Sequence, residues 1–430
     1  MNSVDPAPLP LHLLSILLLG TGLALLTGPA AAADTFSFDV EEFSRKPYDF
    51  NGYAELKAEH EAIDESGALG RIDGSEPLDS TRQRATGTVQ FSGTYRWSQA
   101  SFNWLLTAAG QQASDGWHDT ADVYEAFFDV TPATNTTATI GKTSYNWGTG
   151  YAWNPVGFIN RPKDPGDPEE SREGYLTMAA ETIKSFDGAL RNVAVTGVLL
   201  PVLSGVNEDF GAADQLDLAV KVYLLLLDTD IDLVALIGDD QTSRFGIDFS
   251  RNLTTNFEVH GEIAYRHETT KVVLSPDGSV VRRSESASSW LLGLRHLSTF
   301  ELTTIIEYYH NGGGYSDEEL SRFYRLVDTA PQQARSLARS GYGRPFAGRD
   351  YLYARFSVKE PFDLLYLTPA LTTIVNIADG SFSLAPELMY TGFTNWELRL
   401  RVTLLAGEAG TEYGEKANDA RAELRLRYYF

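Results

Sequence analysis

ARAELRLRYYF, Ala420–Phe430, alternates with a period of two. Arg421, Glu423, Arg425, Arg427 and Tyr429 fall on one face; Ala422, Leu424, Leu426, Tyr428 and Phe430 fall on the other. Successive side chains of a β-strand point to opposite sides, so the stretch reads as a strand with one charged and one apolar face. The pattern recurs upstream. WELRLRVTLL (Trp396–Leu405) sets Glu397, Arg399, Arg401 and Thr403 against Leu398, Leu400, Val402 and Leu404. NFEVHGEIAYR (Asn256–Arg266) sets Asn256, Glu258, His260, Glu262 and Arg266 against Phe257, Val259, Ile263 and Tyr265. TVQFSGTYRW (Thr88–Trp97) sets Gln90, Ser92, Thr94 and Arg96 against Val89, Phe91, Tyr95 and Trp97.

A soluble sandwich alternates in the same way. Three features separate this chain from one. Its strands are long, where about five or six residues is usual for a soluble sheet. Aromatics gather at strand ends, as in Tyr95/Trp97, Trp290, Tyr308/Tyr309, Trp396 and Tyr428/Tyr429/Phe430, the placement expected of girdles at a membrane interface. The connections also fall into a short set and a mostly long set. Eighteen segments qualify as strands: 51–62, 85–96, 99–109, 121–130, 136–143, 172–183, 191–201, 215–227, 231–238, 243–250, 256–266, 287–297, 300–309, 349–358, 365–377, 380–390, 395–405 and 420–430. The long connections are 63–84, 110–120, 144–171, 202–214, 267–286, 310–348 and 406–419. Part of ELSRFYRLVDTAPQQARSLARSG, within 310–348, reads as helical. An even strand count puts both chain ends on the short-turn side. Lipid cannot hydrogen-bond a bare strand edge, so such a sheet must close. The expected fold is all-β: a transmembrane antiparallel β-barrel of about 18 strands (range 16–18) over residues 51–430.

In this respect the chain resembles Gram-negative outer-membrane porin-type proteins, over essentially all of residues 50–430. The terminal RLRYYF resembles the aromatic-ended last strand by which that class is recognised for barrel insertion. Val123–Gly150, VYEAFFDVTPATNTTATIGKTSYNWGTG, loosely resembles a hairpin of channel-forming barrels, polysaccharide-export barrels included. The resemblance implies a bacterial outer-membrane location. It implies as partners the membrane lipid and lipopolysaccharide, a small hydrophilic solute, and the insertion machinery acting through the C-terminal strand. The oligomeric state is left open.

Composition narrows the function. The chain of 430 residues has 35 Lys and Arg against 58 Asp and Glu, a formal net charge of -23. Nothing in that balance would neutralise phosphates, so nucleic acid is not an expected partner. There is no cysteine, which excludes thiol nucleophiles, thiolate metal sites and disulfides. Leu9–Phe36, LPLHLLSILLLGTGLALLTGPAAAADTF, reads as an apolar core followed by small residues, the signature of a signal peptide over 1–33. It departs from the pattern in one respect: no Lys or Arg precedes the apolar run. Residues 34–50 would then be a short periplasmic segment, too short for a plug domain.

An interior wide enough for water follows from this strand number. Its inferred wall brings Arg399, Arg401, Arg425 and Arg427 together, with Glu397 and Glu423 interleaved. Closure adds Glu55, Lys57 and Glu59 from the first strand, while Glu258 and Glu262 would face this wall across the lumen. Such charges either hold ions and water in a pathway or satisfy one another as a static ladder.

GKTSYNWGTGYAWNPVGFINRPKDPGD, Gly141–Asp167, holds five glycines. It fits neither G-x-G-x-x-G nor G-x-x-x-x-G-K-[ST]. The glycines are expected to let Tyr145, Trp147, Tyr151 and Trp153 turn the chain near the membrane rim. Asn154–Asp167 should fold over or into the mouth, presenting Arg161 and Lys163 beside Asp164 and Asp167. No cofactor, metal or catalytic residue is expected. His60–Glu61 and His267–Glu268 each begin an H-E-x-x-H that Asp64 and Thr270 break, and no G-x-S-x-G elbow is present. Glu258, His260 and Glu262 form an inward row that reads better as polar lining than as a cation site. The functional expectation is a channel for passive or facilitated passage of small hydrophilic solutes, anionic ones among them. The alternative is a structural, surface-polymer-binding or assembly protein with a largely occluded barrel.

Overall fold

The computed structural model describes residues 46–73, 80–211, 213–238 and 243–430. The expected signal segment and most of 34–50 lie outside the described residues. Pro47–Phe430 form one compact unit. Its first nine strands are β1 (Tyr48–Ile63), β2 (Thr81–Arg96), β3 (Ala100–Ala113), β4 (Gly116–Ala133), β5 (Thr136–Thr143), β6 (Tyr175–Ser185), β7 (Leu190–Val202), β8 (Gln215–Leu226) and β9 (Thr229–Ile237). The rest are β10 (Arg244–Thr254), β11 (Phe257–Leu274), β12 (Val280–Leu297), β13 (Leu302–His310), β14 (Asp350–Val358), β15 (Leu367–Asn376), β16 (Phe382–Tyr390), β17 (Trp396–Ala406) and β18 (Asn418–Tyr429). Each pairs antiparallel with its neighbours in sequence, and β1 pairs with β18 from Tyr53↔Tyr429 to Ile63↔Asn418, so the sheet closes. All eighteen expected strands are present.

Alternation has the expected sense. Leu56, Ile263, Leu400 and Leu424 are exposed on the outer face, while Glu55, Glu59, Glu262 and Arg425 are buried inside. That inverts the rule for soluble proteins and suits a barrel with lipid outside and a polar interior. Aromatic pairs ring the short-turn end: Tyr95 with Trp97 (4.7 Å between centroids), Phe91 with Phe430 (5.5 Å), Trp396 with Tyr428 (4.9 Å). Trp290 and Tyr308 (4.8 Å) lie toward the other end.

Two expected loops are instead strand. Across 110–120 the β3–β4 ladder continues to Ala113↔Gly116, and across 267–286 the β11–β12 ladder continues to Leu274↔Val280. Gln111, Gln112, His118 and Asp119 put polar residues on both faces there. A hairpin standing clear of lipid has no need for an apolar face, so the pattern that marks strands fades. Conversely, 64–73, 311–349 and 407–417 fold together on the outer side. They carry α1 (Ala68–Asp73), α2 (Asp317–Thr329) and α3 (Pro331–Leu337). Ser316 caps α2 reciprocally with Glu319: the Glu319 N–H donates to Ser316 Oγ (3.2 Å) and the Ser316 N–H to Glu319 Oε2 (3.0 Å). Ile72, Leu274, Leu320, Phe323 and Tyr342 are the buried centre of this outer layer. Glu412 knits it to the barrel, accepting from Ala347 N–H (3.0 Å), Tyr351 Oη (2.6 Å) and Asn376 Nδ2 (2.8 Å).

Candidate constriction site

The β5–β6 connection, 144–174, does not stay at the rim. Two inward carboxylates clamp its backbone to the wall. Glu262 on β11 accepts the N–H groups of Thr149 (2.7 Å), Gly150 (2.7 Å) and Val156 (3.1 Å), and Nδ2 of Asn154 (3.0 Å). Glu307 on β13 accepts the N–H groups of Tyr151 and Ala152 (2.8 Å for the latter) and lies 2.9 Å from His260 Nε2. Both carboxylates are at most 1 % exposed. A buried charge is expensive without donors, and here the loop's own peptide groups supply them.

This is what the glycines are for. Gly148 has φ +98, and a Cβ on it would sit 2.7 Å from Glu262 Oε1. A Cβ on Gly150 would sit 2.0 Å from the Trp153 carbonyl oxygen. Only a chain without side chains here brings its amides this close to Glu262. Lys163 completes the clamp from the loop's far arm, donating to the carbonyls of Gly150 (2.6 Å) and Tyr151 (3.2 Å). Burial pushes the Lys163 ammonium below its ordinary pKa, with Arg172 adding to the effect and Glu262 and Glu307 opposing it.

The aromatics of the stretch are not at the membrane rim. Trp147 is buried against the inner wall with Val156, Phe158, Ile159, Val198, Val234 and Leu236. Trp153 stacks on Tyr309 at 5.0 Å and tilts against Tyr351 at 5.9 Å. Strands β7 (Val198, Leu200, Val202) and β9 (Val234, Leu236) carry apolar residues inward at this level, with Ala219 of β8 and Ala264 of β11, so the loop has a surface to pack on. Lumen space on that side is filled.

The loop then reaches the opposite wall. Asp167 accepts from Arg425 Nη1 (2.9 Å, β18) and Arg399 Nη1 (3.3 Å, β17). Burial alone would raise the Asp167 carboxyl, but the Arg399 and Arg425 guanidiniums outweigh it and hold the group below its ordinary 3.8. A cavity of 460 Å³ opens along this arm, lined by Tyr124, Arg161, Lys163, Asp164, Asp167 and Glu170 among others.

The remaining expected residues fall as follows. Arg427 Nε donates to Glu55 (2.7 Å), Arg425 Nη2 to Glu423 (3.0 Å) and Arg401 Nε to Glu387 (2.8 Å). Lys57 lies 3.7 Å from Glu59. These wall charges are therefore interleaved, as a ladder would be. Arg161 sits at the root of the loop. It pairs with Glu173 (3.3 Å) and Asp209 and lies over the Tyr175 ring at 4.6 Å. Asp164 is exposed, its Oδ1 accepting from the Gly166 N–H at 2.8 Å. Glu262 does not look across the lumen, because the loop covers it. Glu258 lies 3.5 Å from His260 Nδ1. Among the described residues no acidic or histidine cluster has the geometry to hold a metal ion. Sequence reasoning passed over Glu307, Arg355 and Glu387. Arg355 Nη2 donates to Glu387 Oε1 (3.1 Å) on the same wall. The signal was available: Tyr351, Tyr353 and Arg355 share one face of a period-two run.

A closed, lipid-facing eighteen-strand barrel with an inward-folded loop strapped to both walls has the architecture of a porin-type barrel. Solved structures with this architecture include OccK2 (OpdF) of Pseudomonas aeruginosa in complex with glucuronate, at TM-score 0.52 and 10% identity, covering 89% of this chain and 98% of that one. OccAB1 and OccAB3 of Acinetobacter baumannii are similar at TM-score 0.50, with 10% and 8% identity, covering 89% of this chain and 96% and 99% of theirs. No family model and no curated protein sequence matches the chain.

Proposed function

We propose that the protein is an outer-membrane channel for small hydrophilic solutes, with a preference for anions set at the loop–wall contact. The observation that carries the reading is Asp167 lying between Arg399 and Arg425, a loop carboxylate facing a guanidinium wall. Guanidinium is a planar, permanently charged donor suited to carboxylates. A solute bearing one meets complementary groups along this wall, with Lys57 and Arg427 beside the same strands. The side on which the loop packs is apolar or acidic, with Asp217 and Asp248 buried there and Lys221 paired with Asp232, and suits it less. The glucuronate in the OccK2 complex is a saccharide acid, and a solute of that kind suits this wall. The protein acts by positioning charge and does no covalent chemistry. Lipopolysaccharide and the insertion machinery are its expected contacts in the membrane. The second has a physical counterpart in the seam, where the Phe430 N–H donates to the Gly52 carbonyl (3.0 Å) and the Gly52 N–H to Phe430 (3.1 Å).

Purified protein in a planar bilayer should give discrete current steps, and a salt gradient should give a reversal potential of anion-selective sign. No steps at any salt or voltage would overturn the reading. One observation favours the rival, a surface-polymer-binding or assembly protein: the loop fills the β7–β11 side of the lumen. That reading requires a glycan or protein that co-purifies stably, together with silence in the bilayer.

A further inference from the structure

The turn between β14 and β15 reads KEPFDLLY, Lys359–Tyr366. It is apolar and unusually bare: Phe362 is 94% exposed, Leu365 62%, Leu364 53% and Tyr366 52%. Its backbone is also strained. Glu360, Phe362, Asp363 and Tyr366 all have φ between +51 and +66, a region that side chains with a Cβ avoid. Adjoining turns share its character. Phe300, between β12 and β13, is 66% exposed, and Phe393, between β16 and β17, is 65% exposed. Backbone bonds run from turn to turn: the Lys359 N–H donates to Glu301 O (3.4 Å) and the Thr391 N–H to Tyr366 O (3.1 Å). These turns therefore form one continuous edge.

Among the described residues none covers Phe362. Strained, exposed apolar turns persist where something outside over-determines them. What lies outside can be read from the same strands. Leu352, Phe356, Leu371 and Leu388 are their outward, lipid-facing side chains, and the turn carries that apolar surface beyond the strand ends. Its backbone bars it from the hydrocarbon centre, where unpaired peptide groups are not tolerated. Its aromatic and leucine side chains suit the headgroup boundary. The turn between β6 and β7 is more polar: beside Phe186, 41% exposed, it has exposed Asp187 and Gly188.

We propose that Glu360–Tyr366 is an interfacial anchor that lies in the periplasmic leaflet, with Phe362, Leu364 and Leu365 at the acyl boundary, and so fixes one side of the barrel to the lipid. The occupant of the surface is lipid. This inference does not depend on what passes through the lumen.

The absence of native cysteine gives a clean test. Phe362→Cys, Leu365→Cys and, as reference, Asp187→Cys are each spin-labelled in the full chain and reconstituted in phosphatidylethanolamine–phosphatidylglycerol vesicles. Phe362 is 94% exposed, so folding is spared, and heat-dependent gel mobility confirms it. Collisional accessibility to oxygen over a water-soluble nickel chelate should be several-fold higher at 362 and 365 than at 187. Equal ratios at all three positions overturn the proposal, because the turn is then in water. An immobilised label shielded from both reagents also overturns it, because the occupant is then protein.

Discussion

Replacing Asp167 by Asn removes the charge that holds the loop to the far wall while keeping its shape. Asp167 makes charge-assisted bonds to Arg425 at 2.9 Å and Arg399 at 3.3 Å, and its side chain is only 12% exposed. Such bonds contribute about 1.5–3 kcal/mol each. The arginines are not orphaned by the change, since Arg425 keeps Glu423 (3.0 Å) and Glu55 (3.9 Å) and Arg399 keeps Glu397 (3.3 Å). The loss for the whole contact is therefore set near the low end, about 2 kcal/mol, which is about 30-fold in the attached-to-released ratio. In single-channel recording the Asp167→Asn protein should spend more time in its larger conductance state, and its reversal potential should move further toward anions. The pH dependence gives a second arm. The carboxyl is depressed below 3.8 in the attached state, so the stabilisation is fully present above that value and is lost as pH falls through the depressed one. Wild-type current should thus be steady from neutral to about pH 5 and rise only in stronger acid, and Asp167→Asn should lack that acid step. Identical conductance and selectivity in the two proteins would refute the claim that this contact sets the aperture.

Four further changes probe the same architecture. Gly150→Ala forces a Cβ to 2.0 Å from the Trp153 carbonyl; it should cost about 1–3 kcal/mol, read as a lower heat-modification midpoint and a noisier open channel. Glu262→Gln sets an amide NH₂ among four donors; at about 3 kcal/mol, amide exchange over 149–156 should quicken about 100-fold. The double change Arg161→Ala, Lys163→Ala removes the root ion pairs and the hook onto Gly150 and Tyr151, and should add current flicker and reduce anion preference; unaltered traces would put this arm outside the pathway. Ser316→Ala breaks the α2 cap at a cost of about 1 kcal/mol; exchange in the first turn of α2 should quicken while conductance stays the same.

The strands were readable because lipid and water impose opposite demands on adjacent residues. Ala420–Phe430 shows the imprint directly, and where one solvent is missing, as at 110–120 and 267–286, the imprint goes too. Which charges face inward was equally plain for Arg399, Arg401, Arg425 and Arg427. The route of the β5–β6 loop was only half legible. Its glycines marked a close approach, but Glu262 recognises peptide N–H groups, which every residue has, so nothing in the loop's composition names its partner. Asp167 finds its arginines 232 and 258 residues away. A one-dimensional reading sees both charges without their meeting.

Those separations bear on the order of assembly. Loop-closure entropy delays contacts between distant parts of a chain. The strap from residue 167 cannot fasten until β17 and β18 are in place, and these are the strands that seal against β1. A barrel still open along that seam has a loop clamped on one side and loose on the other. The aperture is thus a property of the finished ring alone, acquired in the same step that leaves the sheet without an edge.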